Sequence, residues 1–321
     1  MRKNGYTYLI TILVIAVIVI AISYMIGIFN NNLIIYKNER DSIQSGMYAE
    51  SMINISISDY DKLKEVCRKI YYDGKNDFLN IKPEYTVDDI EIKKLEICND
   101  STFSKNGFLI TSVIEYNGIE ESCFAKGEIV NSLFTMGKSI LNPRILEGDE
   151  INNLKETEID FNDANKSIAR VIEISQDCYM KKDGLNIIIY TEEIEETEFG
   201  KTVKENILHK YSCYDDIYLK QIGGTVAIED VVKIYGIVEL SSVYLYKDIE
   251  IQGILNLKGN INYIDSKAQI NVKGITINTC GNSENNLNSE YDFDLVNRYS
   301  EHIKNFIRPK INTIQKSLPE I

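Results

Sequence analysis

Apolar residues run almost unbroken from Tyr6 to Phe29 (YTYLITILVIAVIVIAISYMIGIF), and no charged residue occurs between Asn4 and Tyr36. A helix needs about 20 predominantly apolar residues to cross the hydrocarbon core of a bilayer, so residues 6–29 read as a membrane span. A cleaved secretory signal has a shorter apolar core of about 7–15 residues before a small-residue cleavage site. Ala21-Ile22-Ser23 has the look of such a site, yet the run continues through Met25, Ile26 and Phe29, which favours a retained anchor. Arg2 and Lys3 just ahead of the span orient its N-terminus to the cytoplasm and the remaining chain to the outside.

After the span the rhythm becomes amphipathic. Ile43, Met47, Tyr48 and Ile55 recur at helical spacing and predict that the membrane helix continues as a stalk through residues 30–57. A second helix is predicted over Ser58–Phe78, with Leu63, Val66, Cys67 and Ile70 on one face and Gly74 as its stop. Beyond Pro83, Ile90, Ile92, Leu95 and Ile97 suggest an edge strand. GFLITSVIEY and ESCFAKGEIV, joined across Asn117-Gly118, form a strong hairpin signal because both turn residues tolerate positive φ.

The segment 132–165 is acidic and loop-rich, and a domain boundary is placed near it. Short apolar runs follow at Leu185–Thr191 and Ile217–Ile222. From Val231 to Asn278 apolar and polar residues alternate in short bursts punctuated by Gly236, Gly253, Gly259 and Gly274. Strands of similar length closed by turns imply stacked short strands, in a sheet or a right-handed β-solenoid. Leu295, Tyr299, Ile303, Phe306, Ile311 and Ile314 then predict a C-terminal helix that caps the β stack, kinked at Pro309.

The fold class is therefore α+β: one N-terminal transmembrane and stalk helix, then a β-rich ectodomain. The regions are 1–5 as leader, 6–29 as span, 30–57 as stalk, 58–150 as a hairpin-containing α/β region, 151–290 as the β-rich domain and 291–321 as the terminal helix.

Composition narrows the function. The 321 residues carry 35 Lys and Arg against 48 Asp and Glu, a net charge of −13, without a basic run. Nucleic acid is excluded as a partner, since phosphate binding needs a positive footprint. Six cysteines (Cys67, Cys98, Cys123, Cys178, Cys213, Cys280) in an extracytoplasmic domain are candidates for one or two disulfides, and six allow 15 complete pairings. None has C-x-x-C spacing, and His209 and His302 are the chain's two histidines, so a Cys/His metal centre has little support. Asp160, Asn162 and Asp163 have oxygen ligands at short spacing, but the glycine and closing glutamate of an EF-hand loop are missing, and a solvated linker is favoured over a calcium site.

No nucleophile elbow, zinc-protease motif, P-loop or dinucleotide fingerprint is present. Gly223-Gly224 reads as a turn or bulge. His209 has no evident partner for general-base work, and Glu239, Asp248 and Glu250 do not form the stacked acids of a catalytic solenoid. No enzymatic activity and no cofactor are expected.

The N-terminus resembles the class III leader of type IV pilin-like proteins: a short basic leader, a glycine, then an aromatic residue opening a long apolar helix. The resemblance implies cleavage after Gly5 and methylation of the new N-terminal residue, Tyr6, with Thr7, Leu9 and Ile10 in the assembly helix. The family's fifth mature residue is usually a glutamate that pairs with the amino terminus of the neighbouring subunit. Ile10 stands there instead, which disfavours a major pilin, because a buried ammonium without a partner is costly. Minor subunits at filament tips often lack that glutamate. The segment 40–51 (RDSIQSGMYAES) is similar to the one just past the span in PilX-like minor pilins. Tyr116-Asn117-Gly118, Gly236-Ile237-Val238, Asp248-Ile249-Glu250-Ile251-Gln252-Gly253 and Lys258-Gly259-Asn260-Ile261 resemble strands of those clostridial proteins in the same order. The resemblance implies a minor pilin of a type IV pilus or related filament, whose partners are other pilins, assembly proteins, the prepilin peptidase and the membrane, with a surface ligand left open. The alternative is a single-span anchored binding protein unrelated to pili.

Overall fold

The computed structural model describes residues 4–74, 77–78, 90–100, 106–160, 170–197, 200–280 and 285–316. They form two compact units, Met1–Ile129 with Pro309–Ile321, and Val130–Arg308.

The first unit is built on one helix, α1, which runs from Asn4 to Ser58 without a break, so the expected span and stalk are one element. Asp41, Ser45, Ala49, Met52, Ile53 and Ser56 are buried. Their spacing puts them on a single face, and that part of α1 packs on β3, whereas Ile43, Met47 and Ile55 of the expected apolar face are exposed. Helix α2 (Tyr60–Asp73) starts where the Asp59 carboxylate accepts from the Lys62 amide and stops at Gly74 in the left-handed conformation. Its buried face is the expected Leu63, Val66, Cys67 and Ile70.

Strands β1 (Asp77–Phe78), β2 (Ile90–Asn99), β3 (Gly107–Tyr116) and β4 (Ile119–Val130) follow in antiparallel order. The β3–β4 hairpin turns at Asn117 and Gly118, both at positive φ, as the sequence predicts. β2 lies one strand in from the sheet edge, with two residues of β1 outside it.

The sheet is completed beyond β4 by the last strand of the chain, Ile307–Gln315. This corrects the expected C-terminal helix. Among the described residues of that segment only Phe293–Arg298 is α-helical, and a 3₁₀ turn follows over Ser300–His302. The residue before a proline is driven toward extended backbone, and Pro309 cannot continue a helix. The segment therefore enters the free edge beside β4, where Lys310 lies so close to Gly127 that a Cβ there would come within 2.4 Å of its carbonyl oxygen.

The second unit begins with β5 (Ile140–Leu141) and α3 (Asp149–Lys155) and continues as a stack of coils. The unit boundary falls at residues 129 and 130, upstream of the segment where the sequence suggested it. The first coil consists of β6 (Arg170–Ile174) and β7 (Cys178–Asp183). The second consists of β10 (Asp216–Gln221) and β11 (Val226–Ile228). Between them the hairpin β8 (Asn186–Thr197) and β9 (Gly200–Ser212) is inserted. β12 (Val232–Leu245), β13 (Ile249–Tyr263), β14 (Ile270–Asn278) and β15 (Leu287–Tyr291) follow, each parallel to its predecessor.

This is the β-solenoid-like stretch that the alternation implies. Val232, Ile249, Ile270 and Leu287 stack one above another, and Ile234, Ile251 and Val272 form the next column. All belong to one buried cluster, closed at the first coil by Ile187, Ile189 and Tyr211 from the hairpin base. Connections between the strands differ in length, so the repeat is regular in space and irregular in sequence.

In one column three successive positions hold no side chain. Gly236, Gly253 and Gly274 lie in register at φ +127°, +143° and +135°. A Cβ on each would stand 1.9–2.0 Å from the carbonyl oxygen of the residue in the preceding coil, Ile217, Gly236 and Gly253 respectively. Only hydrogen fits there, and only glycine adopts that φ without strain. The next residues, Ile237, Ile254 and Ile275, point away from the inner cluster yet are fully buried. The short helix α4 (Phe293–Arg298) packs on β13 and β14, alongside the coils and not over their end as the sequence suggested.

Where β12 bends between Leu240 and Ser242, the buried Gln221 amide joins adjacent coils. Its nitrogen donates to the carbonyls of Gly224 (2.7 Å) and Ser242 (2.9 Å), and its oxygen accepts from the amides of Ser241 (2.9 Å) and Ser242 (3.1 Å).

Gly253→Ala is expected to destabilise the second unit by about 3 kcal/mol or more, because it adds backbone strain to a clash with main chain. Gln221→Leu leaves backbone groups unpaired and should cost about 2–4 kcal/mol. Denaturant unfolding of each variant measures both effects. A change below about 0.5 kcal/mol in either would refute the packing described.

Candidate functional site: the bare helix and the outer face of the coils

The residues that carry the leader resemblance lie on the first turns of α1. Tyr6, Leu9 and Ile10 are 74%, 65% and 51% exposed, and the large apolar side chains onward to Tyr36 are similarly uncovered. Within the described residues no residue in the most apolar window of this helix is buried, and the helix is long and apolar enough to cross a membrane. The hydroxyl of Thr11 donates to the carbonyl of Thr7 (2.8 Å), so it is satisfied within the helix. Ile10 offers no carboxylate to any cation.

From Asp41 onward the same helix is held by polar as well as apolar contacts. The buried Asp41 carboxylate accepts from Arg40 (3.0 Å). Ser42 donates to Glu121 (2.5 Å) and Ser45 to the carbonyl of Ile114 (2.8 Å). The rings of Tyr48 and Tyr116 meet at 5.5 Å. α1 is thus one rod with an uncovered apolar half and a half fixed to its own sheet.

All six cysteines are free thiols. Cys98 and Cys123 sit on β2 and β4 with β3 between them, opposite Leu109 and Ser112, too far apart across two strand spacings for a bridge. Cys67 is buried in α2 and Cys178 in the inner cluster of the coils, while Cys213 is partly covered and Cys280 is exposed. Burial pushes the thiols of Cys67 and Cys178 up to about 12.

The candidate acids of the coils have separate duties. Glu239 is buried and bonded to Asn256 (3.0 Å) and Lys258 (2.7 Å). Asp248 accepts from the amide of Gln269 (2.9 Å), and Glu250 is exposed beside Asn271. His209 is paired with Ile189 in the inserted hairpin. Gly224, at φ +67°, turns the chain between β10 and β11. Of the calcium candidates Asp160 is described and gives its amide to the carbonyl of His302, while Asn162 and Asp163 lie outside the described residues. Among the described residues no group of three His, Cys, Asp or Glu side chains is placed to hold a metal ion.

One surface escaped sequence reasoning. Tyr179, Ala227, Tyr244 and Asn262 form an outward column on the second arm of the coils, with Tyr190 of β8 across from Tyr179. Alternation marks Tyr179 and Tyr244 as outward, whereas Tyr190 is buried at the end of an apolar run, and their meeting depends on a register that the irregular repeat conceals.

In the folded full chain at pH 8, a maleimide should label Cys280 rapidly and Cys67 and Cys178 only on unfolding, read by peptide mass spectrometry. Labelling of Cys67 in the native protein at the rate of Cys280 would contradict its burial. Compared with protein-family models, with curated proteins and with solved structures, the chain matches none of them.

Proposed function

We propose that the chain is a minor, PilX-like subunit of a type IV pilus or a related secretion filament, a non-enzymatic component that assembles through α1. The observation that carries this reading is the unbroken helix with one bare apolar half and one docked half. Bare apolar surface on this scale must be covered. Lipid covers it while the subunit waits in the membrane, with residues 1–5 cytoplasmic and the β-rich units outside. In a filament the apolar halves of neighbouring pilins replace the lipid. A helix about 80 Å long at about 1.5 Å per residue transmits that position to the head without a hinge.

The leader supplies the other support. Cleavage after Gly5 by a prepilin peptidase and methylation of Tyr6 would leave Thr7, Leu9 and Ile10 in the first turns of the assembled helix.

A second reading is favoured by Ile10. A subunit packed deep in a filament lacks a partner for its N-terminal ammonium there, which suits either a tip position or a single-span anchored binding protein unrelated to pili.

The mature N-terminus decides. Mass spectrometry of the chain from its native membrane should find methylated Tyr6 as the first residue, and Gly5→Leu should abolish that processing. An intact Met1 in wild-type protein, in cells that process other pilins, would overturn the filament reading and leave the anchored one.

A further inference from the structure

The hairpin of β8 and β9 is held at its base and bare beyond it. Ile187, Ile189, Tyr190 and Tyr211 are buried, whereas residues 192–195 and 201–208 are all exposed. Among the described residues β9 ends the sheet, with β8 on one side and no strand on the other. Arg170 donates to the carbonyl of Lys210 (2.8 Å) and so occupies that edge near the base. The edge of β8 is the less accessible one, because β7 pairs with its residues 186–190. An open edge is a template for a further strand, and a two-stranded ribbon standing alone is marginal in water.

The residues of β9 select the strand that fits. When two identical strands pair antiparallel about a two-fold axis, one residue faces its own copy, and residues equally far from it on either side face each other. With the axis at Val203, Val203 meets Val203, and Lys201 meets Glu205 in both directions. These three positions share one face of the strand, so the contacts lie side by side. Thr202 and Lys204 oppose each other on the other face, with no like charges in contact. An axis at Lys201, Lys204 or Glu205 sets like charges directly opposite, and one at Thr202 or Asn206 forms no charge pair.

The arm is already arranged for this register. Val203 pairs across the hairpin with Ile194, and the two are 58% and 63% exposed. Joining two arms extends that pair into one apolar row over four strands: Ile194 and Val203 of each copy. Glu205 takes Lys181 from the β8 side, at 2.6 Å to both oxygens, and its side chain is still 46% exposed. Lys201 of a second copy approaches from the opposite, open side. Exposed ion pairs add little affinity, so the crossed pairs fix the register while backbone pairing and the apolar row hold the copies together.

We propose that β9 pairs antiparallel with β9 of a second copy of this chain about a two-fold axis at Val203, joining two hairpin arms into a four-stranded sheet. The contact is isologous and closes on itself, so it links copies in twos, apart from the contacts of α1.

The test uses the full chain in a non-ionic detergent, with Cys280→Ser to remove the exposed thiol. Val203→Cys and Ile207→Cys, at positions 58% and 57% exposed, are oxidised with diamide under identical conditions, and the linked peptides are identified by mass spectrometry. In the proposed register the two thiols introduced at position 203 face each other with Cβ atoms about 5 Å apart. Those introduced at position 207 stand about 27 Å apart, about eight residues along the strand at about 3.4 Å each. The disulfide joining the two 203 positions should therefore form at least about tenfold faster than the one joining the 207 positions. Lys201→Glu and Glu205→Lys should each slow linkage at 203 by about fivefold or more, and the two together should restore most of the rate, because the crossed pairs are re-formed with exchanged signs. Equal rates at 203 and 207, whether both fast or both negligible, would overturn the proposal, and so would a combined charge exchange no faster than the single changes. Because these readouts do not depend on processing at Gly5, the arm pairing can fail while the filament reading stands, and the reverse.

Discussion

Among the described residues no residue in the most apolar window of α1 is buried, and that uncovered stretch governs the first unit. At roughly 25 cal/mol per Å² of apolar surface, leaving the side chains from Tyr6 to Phe29 in water would cost more than the whole net stability of a typical domain. The helix is long and apolar enough to cross a membrane. The second half meets a different demand. Asp41, Ser42 and Ser45 direct polar groups into the contact with β3 and β4, and each has a partner there or on its own helix. One element thus passes from an uncovered apolar stretch to a half packed on β3 with no break in the helix.

The second unit answers a different constraint. Parallel coils with side chains on both faces must keep register, because a slip of one residue would exchange inner and outer faces. The glycine column supplies part of that register. Gly236, Gly253 and Gly274 accept the neighbouring carbonyl where any other residue would collide, and a shifted coil would place Tyr235, Gln252 or Lys273 there instead. Gln221 acts at the bend in the same sense, fixing backbone groups that a solenoid corner would leave unpaired. The outward tyrosines inherit their positions from this register.

Much of this was legible in the residues because local signals and tertiary demands agree. The charge-free run, the face of α2 with its Gly74 stop, the Asn117-Gly118 turn and the alternation from Val231 onward all act over short range, and each appears where expected. The C-terminus shows the limit. Leu295 lies in a short helix, but Ile311 and Ile314, which share its helical spacing, belong to the strand that takes the open edge beside β4, and nothing local reveals that edge. The cysteines show it again: an even count suggests bridges, whereas their separation depends on which strands lie between. The tyrosine face was hidden for the same reason, since its members come from β7, β8 and β12.

The claim that organises the molecule is that α1 is a single rigid rod, bare and then docked. Amide hydrogen exchange of the full chain in lipid bilayers tests it directly. The account predicts slow exchange through residues 6–29, slow exchange again on the docked face at 41–56, and no fast stretch between. A rapidly exchanging hinge within residues 30–40, with the two halves protected independently, would contradict it.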